Sequence, residues 1–285
     1  MLDVTGASDA PTLHLPARNG ESYAYRRFGA TGTSMPPLLL LATFRANLDV
    51  WDPVLLDALA LQREVVLVDN TGVGRSTGTV PCSVVQMAYD ALSFLDALHI
   101  STPVDVLGHG LGGMVAQDVA LLRPREVRRL ILAGTGPYGD QHAGRWAPDT
   151  EHIARLDILG PEELLKLLFE ITESSRVKGR GYLARAATRT RDRDLPSTID
   201  VRDRQYDAIT AWCTPDPSAL IRLAAISSPT LVATGDNDAL TSPQSALLLT
   251  GHLPHAWMRT YPDAGHGFLF QYPVEFATLV AAFLS

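Results

Sequence analysis

Cysteine is nearly absent: the 285 residues carry only Cys82 and Cys213. Two cysteines form no disulfide framework, and their scarcity points to a reducing compartment. Positive charge is also short. Twenty-four Lys and Arg stand against 31 Asp and Glu, a net charge of -7. That balance excludes a global pull towards nucleic acid or an anionic membrane. Long apolar runs are missing, and Leu38 to Leu41 is far too short to span a bilayer. The first ten residues have neither a basic start nor an apolar core, so no secretory signal is visible and the expected location is cytoplasmic. No His/Cys cluster has ligand spacing, so no metal is expected. No dinucleotide signal, internal repeat or low-complexity segment stands out, and no cofactor is expected.

What remains is ordinary globular material, 46% hydrophobic and 19% charged, long enough for one large α/β domain with an inserted part. After a loose arm over Leu2 to Pro11, Leu13–Leu15 and Ser22–Phe28 read as strands joined by a turn through Asn19-Gly20. Leu38–Leu41 suits a strand buried on both faces of a parallel sheet. A helix holding Leu55, Leu56, Leu59 and Leu61 follows, then a strand over Val65–Val68. Val84, Met87, Ala88, Ala91, Leu92, Leu95 and Leu98 have helical spacing. Val104–Leu107 and Leu130–Ala133 are further strands. This rhythm implies a doubly wound, mostly parallel sheet with right-handed crossovers.

The rhythm breaks from Tyr138 to Ser228. A helix is expected over Pro161 to Thr172, an arginine-rich stretch over Arg176 to Arg193, a turn over Trp212 to Pro217 and a helical piece over Ala219 to Ile226. The expected division is therefore a core of 1–137 and 229–285 with a helical cap over 138–228. The sheet resumes at Thr230–Thr234. A helix from Pro243 to Leu253, a strand over Ala256–Tyr261 and a helix over Pro273–Leu284 complete the chain.

The chemistry gathers at the ends of strands. Val104–Leu107 runs into Gly108-His109-Gly110-Leu111-Gly112, then into a helix with Met114, Val115 and Val119. Gly235-Asp236-Asn237-Asp238 follows the next-to-last strand, and Gly265-His266-Gly267 follows the last. This order resembles the α/β-hydrolase superfamily over residues 20 to 285. Its nucleophile stands at the centre of a G-x-S-x-G strand-to-helix turn, and its acid and histidine follow in that order. The resemblance makes Asp238 the triad acid and His266 the base. It places Gly110 at the nucleophile position, with no hydroxyl there. Leu111 would supply one oxyanion N–H. In the family the loop after the leucine strand begins His-Gly; here Ala42-Thr43 stand there, and Phe44 matches the second donor. Asp69 to Ser76 resembles the family's Asp-x-x-Gly-x-Gly-x-Ser turn, which is mainly structural.

Each assignment has a plainer competitor. Asp236 contends with Asp238, since either could cap a turn. His109 reads as a hydrogen-bonded core residue rather than a base. Arg176, Lys178, Arg180, Arg185, Arg189, Arg191 and Arg193 read as a solvated face beside Asp192, Asp194, Asp200 and Asp203. Trp212, Tyr206 and Leu168 are candidates for an apolar substrate pocket, with ordinary core as the alternative.

The resemblance implies an enzyme acting on a small hydrophobic ester, lactone or related carbonyl compound. Serine is then lost either naturally or by an inactivating substitution, and Gly110→Ser should create esterase activity. A second reading is a lyase, C–C hydrolase or cyclase with His266 as general base. A third is a non-catalytic receptor for a small molecule on the same fold. The partner in each case is a small apolar ligand, and the sequence fixes neither its identity nor the oligomeric state.

Overall fold

A computed structural model describes residues 6–100, 102–144 and 146–285. The chain runs β1 (Leu13–Pro16), β2 (Ser22–Gly29), β3 (Leu38–Leu41), α1 (Pro53–Ala60), β4 (Glu64–Val68), α2 (Val84–Leu98), β5 (Val104–His109), α3 (Leu111–Leu122) and β6 (Val127–Ala133). Four helices come next: α4 (Pro148–Ala154), α5 (Pro161–Leu168), α6 (Glu173–Ala186) and α7 (Ile199–Trp212), followed by a 3-10 helix over Pro217–Ala225. The end of the chain is β7 (Thr230–Gly235), α8 (Pro243–His252), β8 (Ala256–Tyr261), α9 (Phe268–Gln271) and α10 (Pro273–Leu284).

The strands form one eight-stranded sheet in the order β1-β2-β4-β3-β5-β6-β7-β8. β1 and β2 are antiparallel, as is β2 to β4; every pairing from β4 to β8 is parallel. The α/β reading from the sequence is thus borne out. β3 lies between β4 and β5 with all four leucines buried, which is why its sequence is apolar throughout rather than alternating. Met87 and Phe94 of α2, Met114 of α3 and Ala246 of α8 pack on one face of the sheet. Leu55 of α1 and Phe276 of α10 pack on the other. The parallel arrangement points the C-terminal ends of β3, β5, β7 and β8 the same way. In open α/β sheets that edge is where ligands bind.

Between β6 and β7 the described residues add no strand to the sheet. Several details differ from the sequence reading. The helix from Pro161 stops at Leu168, because Phe169 turns extended (φ -125°, ψ 151°) and Thr172 caps α6 by accepting from the Ser175 N–H. α7 was not anticipated, because its alternating Asp and Arg hide its buried positions Val201, Gln205, Ala208, Ile209 and Trp212. The helical piece expected over Ala219 to Ile226 is a 3-10 helix over Pro217–Ala225, and α9 is an extra short turn.

The arginine-rich stretch is not simply a solvated face. Arg185 forms an ion pair with the fully buried carboxylate of Asp52 at 2.5 Å. Arg189 is buried and donates to the carbonyls of Ser8 and Ala10, both at 2.9 Å. These guanidiniums tie the helical segment to the start of α1 and to the arm before β1, and their planar donor fork suits that use. Arg180, paired with Glu173, remains exposed.

Candidate active site

The site forms where the loops after β3, β5, β7 and β8 converge. β5 reverses into α3 at Gly110, whose φ of 54° and ψ of -117° lie where a side chain is strained. The turn is tight: a Cβ on Gly112 would run into the carbonyl of Leu41 at the end of β3. That close approach is what the glycines around the reversal permit.

His266 follows β8 and is buried, as is Asp238 after β7. The imidazole Nδ1 lies 2.8 Å from Asp238 Oδ2. Asp238 Oδ1 also accepts from the Leu240 and Thr241 N–H groups, each at 2.9 Å. Three donors therefore fix this carboxylate. An ionised acceptor at Nδ1 sets the tautomer with the proton on Nδ1, leaving Nε2 as the acceptor. Asp236 does something else: its carboxylate accepts from the Asp263 and Ala264 N–H groups, both at 3.1 Å, and so shapes the loop before His266.

The partner of Nε2 comes from an unexpected place. Thr43, in the loop after β3, puts its Oγ1 3.1 Å from His266 Nε2. With Nε2 as acceptor, the hydroxyl donates. A Cβ built on Gly110 would land on that same hydroxyl and only 2.8 Å from Nε2. The side chain missing at position 110 is thus matched by one present at position 43. A serine at 110 would therefore meet the Thr43 side chain, which must shift to admit it. Sequence reading registered Thr43 only as a replacement for glycine. The available signal was that the chain leaves the family pattern at 43 and 110 together.

Phe44 and Leu111 line the same small cavity as Thr43, Gly110 and His266. Among the described residues, neither the Phe44 nor the Leu111 N–H is taken by a backbone carbonyl outside regular elements or by a side chain. Met114, Trp146, Ile209 and Leu240 complete an apolar wall. The cavity holds about 20 Å³, room for about one water. Trp146 is latched by its Nε1, which donates to the Leu240 carbonyl at 2.9 Å.

None of the three pocket candidates lines this cavity. Trp212 is buried and donates its indole N–H to the Gly136 carbonyl at 3.2 Å. Tyr206 stands behind Trp146, with ring centroids 5.6 Å apart, and donates to Glu151. Leu168 gives its carbonyl to the Gly267 N–H at 2.6 Å and so supports the histidine loop. The wall residues carry no sequence signal that separates them from ordinary core.

Two surroundings tune the site. His109 is fully buried and stacks on His266 with centroids 4.4 Å apart. Its Nε2 lies 3.0 Å from the His266 carbonyl, to which it donates. Burial, and then the neighbouring His266 ring, hold its pKa well below the usual histidine range. It stays neutral and acts as a platform. Arg45 follows the Thr43-Phe44 pair with φ 59°, a conformation side chains rarely adopt. The helical segment holds it there. Gln205 of α7 accepts from the Arg45 N–H at 2.7 Å, and the guanidinium donates to the carbonyls of Ala154, Leu156 and Asp157.

Among the described residues no group of acidic, His or Cys side chains is arranged to hold a metal, and no helix is long and apolar enough to cross a membrane.

Comparison with known proteins accords with this geometry. A family model described as alpha/beta hydrolase fold matches residues 36–273. An alpha/beta hydrolase fold protein from Chitinophaga pinensis is 37% identical and superposes with a TM-score of 0.90, covering 99% of both chains. A hydrolase from Pseudomonas aeruginosa is 26% identical with a TM-score of 0.74, covering 96% of this chain and 98% of the other. A relative from Azorhizobium caulinodans that carries the name carbamate hydrolase RutD is 26% identical over 268 residues, 94% of this chain and 97% of its own. The match over most of the chain makes this protein an enzyme of the alpha/beta hydrolase fold family.

Proposed function

We propose that this enzyme hydrolyses a small ester, lactone or carbamate, with His266 as general base and acid and Asp238 as the group that orients and charges it. The observation that carries the reading is the buried Asp238–His266 pair at 2.8 Å, whose other nitrogen, Nε2, meets the Thr43 hydroxyl beside a cavity bordered by two uncommitted N–H groups. A carboxylate behind the ring stabilises the imidazolium that forms when Nε2 takes a proton. The Leu111 and Phe44 N–H groups are the donors for an oxyanion, and in a dry site such donors are worth more than in water. The apolar wall suits a small acyl group, but the cavity as it stands admits about one water, so any ester enters only when the 138–228 segment, assigned as the cap, swings out and carries Trp146 with it. Carbamates enter the substrate class from the name of the Azorhizobium relative.

Gly110 belongs to the design in this reading. It fits Thr43, so the lack of serine is a property of the site rather than an injury to it. A receptor has no need of a buried, three-donor carboxylate behind a histidine. The test is turnover of small p-nitrophenyl esters, five- and six-membered lactones and aryl carbamates. Asp238→Asn should lower kcat by about 10⁴-fold through the wrong tautomer, and His266→Ala should remove activity. Turnover that ignores both substitutions refutes the acid–base assignment. Tight binding of a ligand with no turnover favours a receptor.

A further inference from the structure

We infer that Thr43 is the nucleophile of this enzyme, moved from the strand-to-helix turn to the loop after β3. The inference rests on His266 and Asp238 being the acid–base pair. Three observations carry it. Thr43 Oγ1 lies 3.1 Å from His266 Nε2, the distance of a hydroxyl poised to give up its proton. The hydroxyl occupies the volume that a side chain on Gly110 would need. Thr43 is buried and borders the same cavity as Phe44 and Leu111, whose N–H groups would face the developing oxyanion. Thr43, His266 and Asp238 then form a continuous chain of hydroxyl, imidazole and carboxylate, with 3.1 and 2.8 Å links. The triad logic is retained while its first member sits on another loop.

The step balances without a co-reactant beyond water. Thr43 Oγ1 bonds to the substrate carbonyl carbon while its proton passes to His266 Nε2. The tetrahedral oxyanion collapses, the leaving oxygen departs and takes that proton, and a threonyl ester remains. Water then attacks the ester carbon and gives a proton to Nε2. The carbon–Oγ1 bond breaks, and Thr43 regains its hydrogen from His266.

The test uses the full-length protein and two small probes: dimethyl fluorophosphate, and p-nitrophenyl acetate quenched in acid. Modified residues are located by peptide mass spectrometry. Thr43 Oγ1 displaces fluoride from phosphorus in the first case and nitrophenolate from the acetyl carbon in the second. The expected adduct is on residue 43 in the wild type and in Thr43→Ser. It should be absent in the near-isosteric Thr43→Val and slowed by more than about 10²-fold in His266→Ala. Circular dichroism checks that the variants are folded. A wild type that takes neither adduct at residue 43 overturns the inference, as does unchanged turnover by Thr43→Val. If Thr43→Val turns over normally while His266→Ala is dead, the acid–base reading survives and His266 activates water directly. If His266→Ala is as active as the wild type, the acid–base reading itself fails.

Discussion

Positions 43 and 110 compete for one volume, and a double-mutant cycle measures how strongly. In Gly110→Ser, the new Cβ meets the Thr43 hydroxyl and crowds His266 Nε2. Overpacking of this kind costs about 1–3 kcal/mol, and a side chain at φ 54° adds about 1–3 kcal/mol of strain. The single variant should therefore lose roughly 2–6 kcal/mol, a fall in Tm of about 3–10 °C for a chain of this size. Thr43→Gly alone loses the hydroxyl bond to His266, about 1 kcal/mol, and gains backbone entropy when unfolded, about another 1 kcal/mol. In the double variant the clash with residue 43 is gone and only the φ strain and the pressure on His266 persist. The two substitutions should then couple favourably by about 1–3 kcal/mol. Urea or thermal denaturation of the four proteins reads this directly. The same pair places glycine at 43 and serine at 110, the arrangement of the family pattern, so esterase activity should rise in the double variant and not in Gly110→Ser. Costs that add to within about 0.5 kcal/mol refute the shared volume, and strong esterase activity in Gly110→Ser alone refutes the steric argument.

Legibility in the sequence follows how local the cause is. β3 and α2 could be read because their patterns are set by burial on two faces or one. The contact between Asp238 and His266 could be expected from the family resemblance, which places both in loops that follow strands. The choice between Asp236 and Asp238 rested on spacing, and the structure gives each its own partners. α7 was hidden because its buried positions are interleaved with charges that pair along the helix itself, as Arg204 does with Asp200. Thr43 was out of reach for another reason. Its partner lies 223 residues away in the chain, and no local pattern marks a hydroxyl that only tertiary packing brings to a histidine. The arginines were misread on the same ground, since Arg185 and Arg189 meet Asp52, Ser8 and Ala10 only once the chain has folded.

Three further outcomes are expected. Gln205→Leu leaves the buried Arg45 N–H unpaired, which should cost about 1–3 kcal/mol and loosen the Thr43-Phe44 loop, so that kcat falls more than KM rises; unchanged stability and kinetics refute this support. Titration with a thiol reagent should modify the exposed Cys82 in the native protein and spare Cys213, whose thiol burial pushes up to about 12; rapid loss of both thiols without denaturant refutes that assignment. The last concerns Asp69, in the turn after β4. Burial, followed by the facing Asp194 carboxyl, raises its pKa well above the ordinary 3.8, against the lowering influence of the Arg75 backbone N–H and the Arg26 charge. Between the ordinary value and the raised one, the folded protein holds a proton that the unfolded chain has released. Stability is therefore fully present at low pH and lost as pH rises through the folded pKa. Asp69→Asn removes the titrating group at almost constant size. Its Tm should match the wild type at and below the ordinary carboxylate pKa and exceed it increasingly as pH rises above that value. A Tm difference that does not change with pH means that Asp69 enters the folded state already ionised.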